Sequence, residues 1–519
     1  MAIRKLPIGI QDFPRLRQEG CLYVDKTAYV HKLASEGSVY FLSRPRRFGK
    51  SLLVSTLGAY FEGRKELFQG LAIEQLEQDW IEYPVLRLDL NAEKYDTPQA
   101  LLGILNRYVE GWEARFPGNS PERSLSERFI GAIERAHERT GKRVVVLIDE
   151  YDKPLLQAIG HPDLLEAYKN TLKAFYGVLK SADAHLRFVL LTGVTKFGQV
   201  SVFSDLNQLK DLSLHPQYAA LCGITEPELL DTFQPELVAL AERQKMTSEE
   251  CLAEVRRMYN GYRFHPDGPG VYNPFSTLNL LDAKEFRDYW FQTGTPTFLV
   301  ELLKKTDMDL REVDQIEIMA EDFANYRQDA DRPIPVIYQS GYLTIQKYDP
   351  ELQLYTLGFP NAEVRKGFLN FLLPDYTGIE RGRGGFHIAK FIQELRKGEV
   401  DAFLTRLQGF FEGIPYDLSD RTERHYHVVF YLVFTLMGQF IRTEVKSAKG
   451  RADAVVYTDS HVYVFEFKLN GTAEQALAQI DEKGYAVAYQ ADGREVVKVG
   501  VEFDKDTRNL GRWLVERPA

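Results

Sequence analysis

Apolar residues follow two rhythms along this chain. Short unbroken runs, Val39-Tyr40-Phe41-Leu42 and Val144-Val145-Val146-Leu147-Ile148, are separated by longer stretches where apolar residues recur every three to four positions. The runs predict strands buried on both faces, and the second rhythm predicts amphipathic helices. Residues 85–90 alternate like a strand, and residues 186–192 read as another. Helices are predicted over 97–115, 122–139 and 163–181, with Gly141-Lys142 stopping the second. Alternating strands and helices predict a doubly wound α/β sheet.

After about residue 225 the rhythm turns helical, over 226–258 and 276–306 around a loop at 260–274. Tyr342-Leu343-Thr344-Ile345, a turn at Asp349-Pro350, and Leu352-Gln353-Leu354-Tyr355 predict a hairpin, and flanking helices would make a small winged-helix-like unit. Glu380-Arg381-Gly382-Arg383-Gly384-Gly385 has the composition of a linker. The last block opens with helices over 388–412 and a long amphipathic helix over 421–440. Strands at 453–458 and 461–467, a helix over 472–484 and a final strand near 496–501 complete it. These shifts place domain boundaries at 1–225, 226–385 and 386–519.

Composition narrows the class. At 519 residues and 44% hydrophobic, the chain supports several cores, roughly two to four domains. No apolar run reaches the ~18 residues of a membrane span, and Met1–Pro7 lacks the apolar segment of a secretory signal. Cys21, Cys222 and Cys251 are far apart, which fits buried thiols in a reducing cytoplasm. The net charge of -10 opposes non-specific nucleic-acid binding. The region from Arg421 to Ala519, however, carries 14 Lys and Arg against 14 Asp and Glu. A neutral C-terminal domain can present a local basic face.

The strand at 39–42 runs into Ser43-Arg44-Pro45-Arg46-Arg47-Phe48-Gly49-Lys50-Ser51, and an apolar helix follows. The ending Gly-Lys-Ser, between strand and helix, is that of a phosphate-binding P-loop, although Arg44 stands where the first glycine is expected. In such a loop Lys50 meets the β/γ phosphates, Ser51 meets Mg²⁺, and Gly49 allows close backbone approach. Arg44 is expected to cost conformational freedom, with Pro45 stiffening the turn. Asp149 and Glu150 end the apolar strand about a hundred residues on. Asp149 suits the metal, and Glu150 suits a base for attacking water. Thr192, ending the next strand, is a candidate γ-phosphate sensor. Arg46 and Arg47 are candidate phosphate contacts, or solvated loop charges.

The segments RPRRFGKSLL, LIDEYDKPL, LTGVTKFGQVSVFSDLN and YNPFSTLNLL resemble the bacterial AAA-ATPase-like family of P-loop proteins, over about residues 5–300. Arg44 is similar to what that family shows. Tyr23-Val24-Asp25-Lys26-Thr27 resembles its opening motif, which suggests packing beside the nucleotide base. The resemblance implies ATP and Mg²⁺ as cofactors. It also admits a homo-oligomer, because many AAA-type ATPases complete their sites with a neighbour's arginine.

Near the C-terminus, Asp453 begins a strand, and Glu466-Phe467-Lys468 ends the next. Strand alternation puts Glu466 and Lys468 on one face and Phe467 on the other. Two carboxylates suit Mg²⁺, and the ammonium suits orientation of an attacking water. A salt-bridged strand pair of Glu466 with Lys468 or Arg451 is the plainer reading. Glu423 on the preceding helix is a candidate third acid, sharing a face with His427 and Phe430. Gln479 is a candidate support or DNA contact. Lys446, Lys449 and Arg451 are candidate phosphate contacts. His425 and His427, two apart, do not share a helix face and read as ordinary partly buried histidines. The block resembles the PD-(D/E)XK nuclease superfamily over about residues 405–510.

The expectation is an α/β P-loop NTPase with a parallel sheet, a helical lid and a winged-helix-like unit, ending in an α/β restriction-endonuclease-like domain. Its expected function is ATP binding and hydrolysis coupled to a Mg²⁺-dependent DNA endonuclease, in a cytoplasmic bacterial protein with no membrane partner. The alternative is a nucleotide-switched protein that binds nucleic acid or another protein without cleaving anything.

Overall fold

The computed structural model describes residues 4–118, 124–196, 202–203, 208–290, 313–324, 334–380, 382–414, 423–438, 442–445, 453–468, 471–489, 493–504, 507 and 509–517. The chain divides into two compact units. One comprises 1–294, 301–306 and 315–363, and the other 295–300, 307–314 and 364–519. The last of the divisions, at 363/364, falls within the helix Ala362–Thr377.

The first unit is built on β1 (Val39–Ser43), β2 (Val85–Asp89), β3 (Val144–Asp149), β4 (Leu186–Gly193) and β5 (Lys210–Asp211). All pairs are parallel, and the order is β2-β3-β4-β1-β5. Every residue of β1 and β3 is buried, as continuous apolar runs demand when both sheet faces are covered. The order puts β4 between β3 and β1, so the ends of β3 and β4 open beside the loop that follows β1. Local signals set the helices. Ser124 and Glu127 form a capping box for Leu125–Thr140, which ends at Gly141. Thr225 with Glu228 and Thr247 with Glu250 do the same for Glu226–Gln244 and Ser248–Tyr259.

Beyond these helices, β6 (Ile224–Thr225) pairs with β7 (Val271–Tyr272). The expected hairpin is present as β9 (Thr344–Asp349) and β10 (Leu354–Gly358). It is joined by β8 (Ile316–Met319) on the far edge of β10.

The second unit carries a five-stranded sheet of β11 (Arg442–Val445), β12 (Ala454–Tyr457), β13 (His461–Lys468), β14 (Glu495–Asp504) and β15 (Asn509–Glu516), in that order. Only β13 and β14 are parallel. The strand expected to be last is followed by β15, and β11 precedes the pair read from the sequence. β15 holds Gly511 and Arg512 amid its apolar residues, which breaks the alternation a strand search relies on. The Glu380–Gly385 stretch leads into the helix Gly384–Arg396 inside this unit.

Gly500 on β14 lies opposite Glu466. A Cβ there would come within 2.4 Å of the Ala473 carbonyl oxygen and 2.9 Å of Leu477. Its lack of a side chain lets the helix Ala473–Glu482 lie directly on the sheet. Gly500→Val is expected to lift that helix and lower stability by about 2–3 kcal/mol, read as a lower midpoint in urea for the second unit.

All three cysteines are free and buried. Among the described residues, no helix is long and apolar enough to cross a membrane.

Candidate functional site

Two clusters of the expected residues form, one in each unit. In the first, the helix Lys50–Phe61 opens at Gly49 with no side-chain cap. The free N–H groups of its first turn are a ready anion site. Gly49 is left-handed, at φ 89°. Lys50 is buried, and its ammonium donates to the carbonyls of Arg44 and Pro45 at 3.1 and 3.4 Å. It also pairs with Glu150 at 3.3 Å.

Arg44 departs from expectation. It does not adopt the left-handed conformation that demands glycine, whereas Arg47 does, at φ 70°. The Arg44 N–H donates to the Gly193 carbonyl at 3.1 Å, extending the β1–β4 pairing by one residue. Its guanidinium is 1% exposed and points away from the helix start. It donates to the carbonyls of Ser43, Ser213 and Tyr218 at 2.9, 2.8 and 3.1 Å. It also lies 4.0 Å from the centre of the Phe264 ring. Burial lowers its pKa, and among the described residues no carboxylate forms an ion pair with it. Arg44 is therefore an internal clamp on the loop. Arg44→Gly, which restores the generic motif, is expected to destabilise the first unit by more than about 2 kcal/mol. Thermal unfolding would show this as a drop in Tm.

Asp149 is 4% exposed, and burial raises its pKa, reinforced by Glu150. Ser51 hydrogen-bonds to its carboxylate, as does the Thr192 hydroxyl. Ser51 and Asp149, expected to share a metal, are thus adjacent. Thr192 is turned toward Asp149, so its hydroxyl is already committed there. Glu150 occupies a left-handed conformation at φ 54°.

Sequence reasoning missed Asp152. Its buried carboxylate accepts from the N–H of Val194 and Thr195 at 3.2 and 2.7 Å and from the Thr195 hydroxyl at 2.8 Å. It ties the segment after β3 to the end of β4. Burial, then Glu150, pushes its pKa up to about 6. The pattern Asp-Glu-x-Asp was its available signal. Trp290, whose indole N–H donates to the Arg46 carbonyl at 3.3 Å, carried none.

A cavity of about 510 Å³ opens over this cluster, lined by Arg46, Arg47, Lys50, Ser51, Glu150 and Phe275 among others. That volume suits a small-molecule ligand. The guanidinium of Arg47 stacks 4.2 Å from the Phe275 ring centre. A smaller apolar pocket of about 100 Å³ lies beside Gly49 and Leu52, lined by Tyr23, Val24 and Lys26. Lys26 is itself held by Glu228 at 2.6 Å.

In the second unit, antiparallel pairing of Ala454 with Phe465 brings Asp453 beside Glu466. Asp453 accepts the Phe467 N–H at 2.8 Å. Glu466 is buried, and burial followed by repulsion from Asp453 pushes its pKa up to about 7. Its Oε1 lies 3.6 Å from the Lys468 ammonium. Gln479 joins the two, donating to Glu466 Oε1 and accepting from Lys468. Glu466 Oε2 is buried with no hydrogen-bond partner. Phe467 faces the other way, 4.2 Å from the Phe430 ring centre.

A buried, unpartnered carboxylate oxygen beside a second carboxylate fits a divalent cation. Mg²⁺ takes one or two carboxylates and keeps several waters. Among the described residues no group of three or more ligating side chains forms. Glu423 lies on the helix Glu423–Met437. Its side chain, those of His425 and His427, and the residues Lys446, Lys449 and Arg451 lie outside the described residues.

A family model described as a predicted AAA-ATPase matches residues 7–203. A model of the PD-(D/E)XK nuclease superfamily matches residues 421–513. An uncharacterized protein in the vnfD 5' region of Azotobacter chroococcum mcd 1 is 38% identical over 532 residues, spanning 99% of both chains. Among solved structures, the Aeropyrum pernix ORC2 protein in its ADPNP and ADP complexes matches with a TM-score of 0.23 and 11% identity. That match covers 64% of this chain and 87% of the other.

Proposed function

Because this chain belongs to the predicted AAA-ATPase-like family and ends in a PD-(D/E)XK nuclease superfamily domain, we propose that it hydrolyses ATP and cleaves DNA with Mg²⁺. The nucleotide state of the first unit gates the second. The observation that carries the nuclease part is the buried, unpartnered Oε2 of Glu466 beside Asp453. The nucleotide part is supported by the uncapped helix start at Gly49, with Lys50, Ser51 and Asp149 gathered around it.

In this reading Lys50 and the first-turn N–H groups bind the phosphates, and Ser51 and Asp149 hold Mg²⁺. Glu150 trades its ion pair with Lys50 for a water aligned on the γ-phosphate. Arg46 and Arg47 meet phosphate from the loop, and Thr192 fixes the Asp149 carboxylate. In the second unit Asp453 and Glu466 hold Mg²⁺, and Glu423 is a third acid. Mg²⁺ bound there supplies electrostatic stabilisation of the phosphodiester as it is attacked. Lys468, oriented by Gln479, holds the attacking water and shares its proton. Gating is supported by the occurrence of both kinds of domain in one chain.

The test incubates the chain and its Asp453→Ala variant with linear, supercoiled and single-stranded DNA, and with RNA, in Mg²⁺ with and without ATP. The expected result is DNA cleavage that needs Asp453 and changes with ATP. Equal cleavage by the variant would sink the nuclease assignment. Lys50-dependent ATP binding with no cleavage of any substrate would instead favour the nucleotide-switched binding protein.

A further inference from the structure

Four cations line the cavity above the helix start: Arg46, Arg47, Lys50 and Lys153. Among the described residues only Lys50 has an acidic partner there, Glu150. Lys153 is not part of the loop. It opens the short helix Lys153–Gln157, three residues past Glu150, and its N–H donates to the Glu150 carbonyl at 3.1 Å. Its ammonium donates to the main-chain carbonyl of Asn91 and, at 2.9 Å, to the Asn91 side-chain oxygen. Both acceptors are neutral. Lys50 is held in the same manner by the carbonyls of Arg44 and Pro45.

An ammonium held by neutral acceptors keeps its whole charge available to an anion. Tying Asn91 in place needs a donor but no charge, and a partly desolvated cation with no direct ion pair is costly. Burial lowers the Lys153 pKa, Glu150 and Asp89 oppose that, and Arg46 adds to it.

The sheet order fixes the direction. Asn91 lies two residues past β2, Glu150 follows β3, and Lys50 lies past the end of β1, with β3 next to β2. A phosphate chain starting at the Gly49–Ser51 turn and reaching toward Glu150 enters the cavity that Lys50 and Lys153 both line.

We infer that Lys153 is a ligand of the terminal phosphate of a nucleoside triphosphate, supplied by the chain that binds it, and that it separates triphosphate from diphosphate. This rests on the nucleotide reading above. The experiment titrates Mg·ATP and Mg·ADP by calorimetry into the full chain, Lys153→Gln, Lys153→Arg and Lys50→Ala. Lys153→Gln is expected to weaken ATP about 10- to 100-fold, as loss of one charge-assisted hydrogen bond does. ADP affinity is expected to stay within about twofold, because ADP lacks the group Lys153 meets, and Lys153→Arg keeps part of the preference. Equal weakening of both nucleotides, or of neither, overturns the inference and leaves Lys50-dependent binding standing. If the wild type binds neither nucleotide, the nucleotide reading itself fails and takes this inference with it.

Discussion

Lys50→Ala is expected to raise the Kd for Mg·ATP by at least about 100-fold while the chain stays folded. The ammonium is buried at 3% exposure and sits at the uncapped start of a helix. Its present partners are two loop carbonyls and Glu150, all of which an incoming phosphate can replace. Losing a charge-assisted contact to phosphate costs about 1.5–3 kcal/mol. Glu150, left without its cation, then adds repulsion toward the phosphates. Together these exceed the ~2.8 kcal/mol that a 100-fold change represents. Lys50→Arg does not rescue, because a planar fork does not fit the space of a point charge enclosed by two carbonyls. Calorimetric titration checks this, with an unchanged thermal midpoint as the control for folding. Near-wild-type affinity in Lys50→Ala would mean that nucleotide, if bound, lies elsewhere.

The second large effect concerns Glu466. Burial and Asp453 push its pKa up to about 7 in the folded chain, against an ordinary value near 4.3. Between those values the folded state holds a proton that the unfolded state has released. Stability therefore falls as pH rises from about 4.5 to about 7, by up to about 3 kcal/mol from this group alone. Above pH 7 the charged carboxylate remains buried, and only a cation relieves it. Mg²⁺ is thus expected to raise the stability of the wild type at pH 8 and much less at pH 5. Glu466→Gln is expected to flatten this pH dependence, to be at least as stable as wild type at pH 8 without metal, to lose the Mg²⁺ response, and to lose cleavage. Urea midpoints of both proteins at pH 5 and 8, with and without Mg²⁺, read all of these. A Glu466→Gln chain that keeps the full Mg²⁺ stabilisation would remove Glu466 from the metal site.

Much of both sites was legible because strand alternation is a strict rule. Asp453, Glu466 and Lys468 come together from period-two geometry and one antiparallel register. Gln479 follows because a helix after the strand must pack back over it, and Gly500 permits the close approach. Asp149 and Glu150 were legible because an apolar run stops at them. The role of Arg44 was not. A motif read as a string counts it as a missing glycine, whereas two of the three acceptors of its guanidinium lie at Ser213 and Tyr218, 169 and 174 residues away. Trp290 reaches the loop across a comparable distance in sequence.

The sequence by itself determined the elements that local chemistry dictates: buried strands from unbroken apolar runs, helix starts from capping boxes, and an anion-binding turn from Gly-Lys-Ser. It also determined which residue types could do the chemistry, because those types sit at strand ends and helix starts. Only the tertiary structure decided the strand order β2-β3-β4-β1-β5. That order turns Thr192 onto Asp149 and brings Lys50, Glu150 and Lys153 to the wall of one cavity. The physical reason is that propensity and periodicity act over a few residues, whereas these pairings depend on how whole strands and helices exclude water together. Where the generic phosphate loop has its first glycine, this fold holds a buried arginine that ties the loop to the carbonyls of Ser213 and Tyr218.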